Sequence, residues 1–443
     1  MDALVRIRMI DSCVFITCHQ VPVEGSNFSM EYHIRNNNQK SAFFWNSVAS
    51  VLNSFQSAIL LIFISHFGGA SDAGIFVFAY AAANLMTGIG RFGMRQFQVS
   101  DTIDKYSFSE YLYSRKITTF VMLALSIPYA LGSGAGNYVK VMTVLLWCGI
   151  RAIEVYEDVY HGYLQKNGLL NIGAKILSIR MFVSIIMFSL VYYLERNLLT
   201  ASVINFLLAA VLALILNYRY RNLYPDSTVV DKRCVGRLFI ENVSLFISSF
   251  CYMYLGNAPK YSINNVLSDE MQAVFGYMFM PVFLVNLLSN FILQPLLTTY
   301  SELWHNKNIK DLKSLIYRHF IVIVTLTIIT VLGGKFIGIY LLEIIYNVSL
   351  IPYAHILYIL LVASGLNAFM TYSRTLLTVV RYQNIALLGY IVACLAMLIG
   401  GRPALKWGGM TGISIYYSIV ILLLNVYSFG IFIFVLRKDK ANK

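Results

Sequence analysis

Between Ser41 and Leu436, apolar runs of helical length recur with short polar turns between them. A hydrocarbon layer about 30 Å thick takes roughly 20 residues of helix per crossing. Lipid offers the backbone no hydrogen-bond partners, so runs of this kind can only be helices that bond internally. They fall near residues 42–65, 73–94, 116–132, 138–160, 170–194 and 198–217, and again near 238–259, 271–293, 317–334, 353–373, 384–400 and 410–436. The expected fold class is all-α: a polytopic membrane protein with twelve transmembrane helices in two pseudo-symmetric six-helix bundles. Composition agrees. Only 12% of the 443 residues are charged and 58% are hydrophobic, whereas a soluble chain carries about 25% charge.

The polar stretch 218–237, with Pro225, Asp226 and five Lys/Arg, is the longest interruption after the amino-terminal tail. It divides the chain into a tail (1–40), a first bundle (41–217), a basic linker (218–237), a second bundle (238–436) and a closing tail (437–443). The first 29 residues hold only a short, broken apolar patch and make neither a span nor a signal peptide; Met30, which opens the polar lead Glu31 to Lys40, is the expected natural start.

The formal net charge is +13, which in a soluble protein would point to nucleic acid. Here its distribution gives another reason. Counted by alternate loops, 26 of the 34 Lys and Arg lie on the face that holds both termini, six lie on the opposite face, and Arg151 and Arg180 lie mid-helix. Basic loops stay on the cytoplasmic side, so both termini are expected in the cytoplasm and no nucleic-acid partner is implied. The six cysteines show no CxxC pair and the seven histidines no metal spacing; disulfides, metal and cofactor are not expected.

An internal repeat supports two halves. Residues 71–80 read SDAGIFVFAY and 268–277 read SDEMQAVFGY, with Ser71/Ser268, Asp72/Asp269, Val77/Val274, Phe78/Phe275 and Tyr80/Tyr277 in common. Each copy runs into the second helix of its half. Six is even, so the halves enter from the same side and are parallel repeats, the architecture of an alternating-access transporter. The outside-facing connections near 66–72, 195–198 and 401–409 are too small for a catalytic domain, and transport is the better reading than enzymatic chemistry.

Intramembrane charge marks the candidate site, because charge in lipid is costly and faces a bundle interior or a water-filled cavity. In the fourth run Arg151, Glu154, Glu157, Asp158 and His161 fall within about 120° of arc at helical spacing. Counted from the 166–169 turn, Arg180 lies about as far into the fifth run as Glu154 lies into the fourth, so the two can meet at one depth. On one reading this is a cavity wall: Arg151 and Arg180 bind anionic substrate groups, and Glu154, Glu157 or Asp158 takes a coupling cation. On the other it is a satisfied cluster locking two helices. Further substrate-binding candidates are Arg91 and Arg95 in the glycine-rich GIGRFGMRQF, which could guide a phosphate at the cytoplasmic mouth, Lys260 after Pro259, and Arg374 beyond Asn367. Each is also readable as an anchor or a snorkelling side chain.

The stretches HFGGASDAGIFVFAYAAANLMTGIGRFGMRQF (66–97), NAPKYSINNVLSDEMQAVFGYMFMPVFLVNLLSNFILQPLLTTYSELW (257–304) and GLNAFMTYSRTLLTVVRYQN (365–384) resemble the bacterial polysaccharide (O-antigen and capsule) flippases of the multidrug/oligosaccharidyl-lipid/polysaccharide exporter superfamily. The resemblance implies a flippase of the bacterial plasma membrane that carries undecaprenyl-diphosphate-linked oligosaccharide from the inner to the outer leaflet. It further implies a proton or sodium ion as coupling cation and polysaccharide assembly proteins as partners. Related flippases often carry cavity arginines in the first helix; this chain has none there, so the role would pass to Arg151 and Arg180. The alternatives are a cation-coupled drug or metabolite exporter of the same superfamily and a membrane enzyme of polysaccharide assembly.

Overall fold

The computed structural model describes residues 28–101, 104–134, 136–225, 230–380 and 382–441. The expectation about what precedes Met30 concerns mainly 1–27, outside the described residues. Helices follow one another as α1 (Phe28–Phe67), α2 (Ala70–Arg91), α3 (Met94–Ser100), α4 (Phe108–Ser133), α5 (Tyr138–Lys166), α6 (Leu170–Glu195), α7 (Leu198–Arg219), α8 (Lys232–Leu255), α9 (Ala258–Ile263), α10 (Asp269–Phe279), α11 (Val282–His305), α12 (Ile309–Gly333), α13 (Ile339–Tyr346), α14 (Ala354–Val379) and α15 (Gln383–Ala441). Strands are absent among the described residues.

Among those residues, nine helical runs are long and apolar enough to cross a membrane. The last of them is double: Gly408 and Gly409 leave helical geometry, and the two limbs of α15 lie side by side, with the Tyr416 hydroxyl on the Ala396 carbonyl and that of Tyr427 on the Ile385 carbonyl. Two further crossings are not among these nine. α5 carries too many charges, and the expected run near 271–293 is divided at Pro281 into α10, only 11 residues long, and α11. The twelve expected runs are all helical, joined by the short α3 and α9 and by a π turn at Gly334–Gly338.

Local chemistry sets several boundaries. Ser107 and Glu110 form a reciprocal capping box at the start of α4, and Asn137, Asn197, Asp231 and Ser268 cap α5, α7, α8 and α10 with side-chain oxygens, satisfying amides that a helix start leaves open. α2 ends where Phe92 and Gly93 turn left-handed (φ 47° and 68°). The carbonyls freed there, of Gly90 and Arg91, accept from the buried Arg115 guanidinium at 2.8 and 2.9 Å.

In the first bundle α5 occupies the middle, packed by α2, α3, α4, α6 and α7. That position explains how so charged a helix remains in the membrane: its stripe meets protein on all sides. The two copies of the repeat meet each other. α2 crosses α10 so closely that a Cβ on Gly74 would lie 1.7 Å from the Asp269 carbonyl oxygen, and one on Gly276 would lie 2.5 Å from Val77. Small residues at such crossings let backbones approach where lipid supplies no hydrophobic drive.

Gly74→Val is therefore expected to force the halves apart, lowering stability by about 1–3 kcal/mol through overpacking. Thermal unfolding of the purified protein in detergent reads this as a lower midpoint, while Gly132→Ala, which meets nothing within 4 Å, leaves the midpoint in place.

Candidate functional site

The α5 stripe divides into two ion networks. Toward α6 and α7, Arg151 donates to Glu154 at 2.6 Å and to the Tyr80 hydroxyl at 2.5 Å. Arg180 pairs with Glu157 and reaches Glu154 at 3.6 Å. Asn217 of α7 completes this network by donating to Glu157 at 2.6 Å, and Tyr80 passes its own proton to Gln56 of α1 at 3.3 Å. One turn nearer the basic face, Asp158 receives Arg95 at 3.0 Å and Arg115 at 3.2 Å, and Arg95 also holds Gln165. His161 is buried against Gly173, its Nε2 without a hydrogen-bond partner among the described residues.

The expected meeting of Arg180 with Glu154 across α5 and α6 is observed. The open cationic wall is not: Arg151 and Arg180 are 4% and 3% exposed and lie inside the first bundle, each against a carboxylate. The physical reason is the price of isolated charge in a low-dielectric interior, several kcal/mol per ion, which only close pairing offsets. Glu154, Glu157 and Asp158 are in turn each engaged by guanidinium groups. Arg95, expected as a phosphate guide at the cytoplasmic mouth, holds Asp158 instead; Arg115 and Tyr80 belong to these networks and were not among the expected site residues. Asp158 held the clue to Arg115, since a buried carboxylate on a stripe already rich in acids needs cations of its own.

The face opposite the basic loops, the far face, is shut between the halves. Lys140 of α5 meets Asp269 of α10 at 2.6 Å while lying 5.4 Å from the Phe78 ring centre. Asn264 donates to the Ser133 carbonyl at 3.0 Å. The Tyr277 hydroxyl reaches Ser65 of α1, whose own hydroxyl donates to the Tyr346 carbonyl. Toward the basic face the halves touch along α8, where Phe92 stacks on Phe246 at 4.2 Å and Lys105 holds Glu241 at 2.6 Å. That hydrogen bond raises the Lys105 ammonium above its ordinary pKa.

The other candidates lie apart from the α5 networks. Arg91 is exposed at the end of α2. Arg374 on α14 is half-buried, 5.0 Å over the Tyr252 ring and 3.5 Å from the Ser249 hydroxyl. Lys260 on α9 is buried, 3.3 Å from Asn257 Oδ1 and 4.8 Å over the Phe279 ring. Neither Arg374 nor Lys260 forms an ion pair among the described residues. Two cavities of about 270 and 350 Å³, lined by groups such as Leu123 and Phe206 or Ile89 and Phe250, are apolar and offer a cargo no charge. No metal-ligand cluster occurs among the described residues.

If the Arg180 network is structural, Arg180→Ala leaves Glu157 buried without its cation and costs about 3–5 kcal/mol. The double change Arg180→Met with Glu157→Met removes both charges and recovers a large part of that loss. A double-mutant cycle on unfolding midpoints measures the coupling.

No family model and no curated protein matches the chain. Solved structures do. The inward-facing conformation of a multidrug resistance MATE family transporter of the MOP superfamily superposes with a TM-score of 0.67 at 14% identity, over 89% of this chain and 99% of that one. A mutant of a MATE transporter from Vibrio cholerae gives 0.63 at 10% identity, over 91% and 98%. A MOP superfamily transporter from Pyrococcus furiosus, described as having a binding pocket of reverse polarity that suggests a different function, gives 0.50 at 15% identity, over 91% and 96%. The chain thus has the fold of MATE transporters, twelve transmembrane helices in two bundles, and is a multi-pass membrane protein.

Proposed function

Starting from that fold, we propose that the chain is a cation-coupled, alternating-access exporter whose cargo carries negative charge. The observation that carries the reading is an asymmetry of charge. Within the first bundle Arg151, Arg180, Arg95 and Arg115 are all matched by carboxylates, while in the second bundle the half-buried Arg374 has none among the described residues. A cation kept in a membrane bundle without a carboxylate has a use for an anion, and Arg374, half-buried, is the one a cargo can reach. Its fork suits phosphate oxygens, with Ser249, Tyr252 and Thr371 beside it. Arg91 on the exposed end of α2 is placed to attract the same group at the basic face.

Among cargo classes, an undecaprenyl-diphosphate-linked oligosaccharide meets these demands and accords with the sequence resemblance. The diphosphate engages Arg374 and the polyprenyl chain stays in lipid. On this reading the basic face is cytoplasmic in a bacterial plasma membrane, and polysaccharide assembly proteins supply and receive the cargo. The closed far face, and the likeness to an inward-facing transporter, correspond to the state that loads from the cytoplasm. The arginines of α5 and α6 then serve as struts that keep the first bundle rigid, and the acids beside them are already neutralised. The Pyrococcus furiosus neighbour supports the principle that pocket polarity varies within this fold.

A second reading, a multidrug exporter, is favoured by what the inward-facing neighbour is. Proteoliposomes separate the two. The anionic reading predicts movement of a fluorescent polyprenyl-diphosphate sugar between leaflets, reduced at least about tenfold by Arg374→Ala, the loss of about 1.4 kcal/mol of binding, and partly kept by Arg374→Lys. Efflux of a cationic dye, unaffected by Arg374→Ala and without lipid movement, would establish the other.

A further inference from the structure

α9 has only six residues, too few to cross a membrane, yet it is wedged among α15, α2 and α10. Its Lys260 is 8% exposed. The charged groups on the packed elements do not pair with it: Asp72 of α2 accepts from Tyr192, Asp269 of α10 holds Lys140, and Glu270 of α10 with Arg402 and Lys406 of α15 are exposed. The tyrosines of those elements are engaged elsewhere, Tyr80 with Arg151 and Gln56, Tyr277 with Ser65, Tyr390 with the Met370 carbonyl, Tyr416 with the Ala396 carbonyl, Tyr417 with Asn367 and Tyr427 with the Ile385 carbonyl.

Around Lys260 lies a nest of amides. Asn257 accepts from its ammonium, Gln272 donates to its carbonyl at 3.3 Å, and the backbone N–H of Asn264 donates to the same carbonyl. Gln272 and Asn264 are almost fully buried, and the side-chain oxygen of each has no partner. Two orphaned acceptors, on side chains packed around the Lys260 backbone, in one buried segment with an ammonium that has N–H groups to spare, call for water or another donor. The same short segment belongs to the far-face closure: Tyr261 donates to the Ala81 carbonyl at 2.9 Å, and Asn264 to Ser133. Separating the halves at that face breaks these bonds and admits water to Lys260.

We propose that Lys260 is the site where the second bundle binds and releases a proton in the transport cycle, through water held by the Asn257, Asn264 and Gln272 side chains. This names the coupling ion and rests on the exporter reading above. Closure strips water from an ammonium with no counter-charge, which favours the neutral amine; opening rehydrates it and favours the charged form. Protonation and opening of the far face therefore promote each other. Glu154, Glu157 and Asp158 need not titrate, since arginines already neutralise them.

The test uses the full chain in proteoliposomes, with native cysteines replaced and Ser133→Cys as a reporter beneath Asn264, labelled from the far side by a membrane-impermeant maleimide. The labelling rate, taken relative to that of a permanently exposed reference cysteine at the same pH so that the thiol's own titration cancels, should rise as pH falls from alkaline to neutral, by up to about tenfold per pH unit for one coupled proton. Lys260→Arg should hold the rate high and Lys260→Met low, both without pH dependence; Lys260→Gln repeats the neutral case should the methionine variant not fold. An unaltered pH profile in the neutral variants, or no pH dependence in the parent, overturns the assignment. If the parent still moves cargo in that event, the exporter reading survives; if it moves neither lipid-linked sugar nor dye, that reading fails instead.

Discussion

A charge inside a membrane must find either a partner or water, and α5 makes that requirement severe. Arg151, Glu154, Glu157 and Asp158 follow one another along less than two and a half turns of a helix that lies in the middle of its bundle. Any one of them left alone would cost several kcal/mol. The arrangement that avoids this brings Arg180 in from α6, Asn217 from α7, and Arg95 and Arg115 from the α3–α4 side. Four helices are thereby tied to one, with α2 joined as a fifth through Tyr80, and the first half acquires a fixed shape as a consequence of where its charges are. Arg115 has a second duty, because its guanidinium also caps the carbonyls left open where α2 ends.

A rigid first half makes the contact between halves the place where change can occur. That contact is made largely by the two copies of one sequence. Asp72 and Asp269 occupy equivalent positions, yet Asp72 is bound within its own half by Tyr192 while Asp269 crosses to Lys140. Tyr80 and Tyr277 are likewise equivalent, and one serves the arginine network while the other reaches across to Ser65. Duplication supplied the same residues twice. Their roles differ because α2 packs on α5, α4 and α1 of its own bundle as well as on α10, whereas α10 has α2 of the other bundle as its chief neighbour. The far-face closure depends on polar pairs that water can replace, and it is the part of the interface suited to opening and closing.

Much of this was legible in the sequence. Apolar length survives as a signal whatever the tertiary fold, so the twelve runs could be read. The meeting of Glu154 and Arg180 could be counted from the turn between their helices, because both distances are set by helical rise alone. What could not be read depends on packing between distant segments. Asp158 and Arg115 are 43 residues apart, and Lys140 and Asp269 are 129 apart; no local pattern reports such pairs. Arg115 looked like one more basic residue of a loop, since only the surrounding helices show that it is fully buried. The charge stripe itself was legible, but its division between two networks was not, because Glu157 and Asp158 are adjacent in sequence and differ only in which neighbours surround them.

The central claim is that the cation inside the membrane that binds the cargo is Arg374 of the second half, not the arginines of α5 and α6. Photo-crosslinking addresses it most directly: a polyprenyl-diphosphate analogue with a diazirine near its phosphates, irradiated with the protein in membranes and mapped by mass spectrometry. The account predicts adducts on α8 and α14 around Ser249, Tyr252 and Arg374. Adducts concentrated on α5 and α6 around Arg151 and Arg180, and absent from α14, would contradict it.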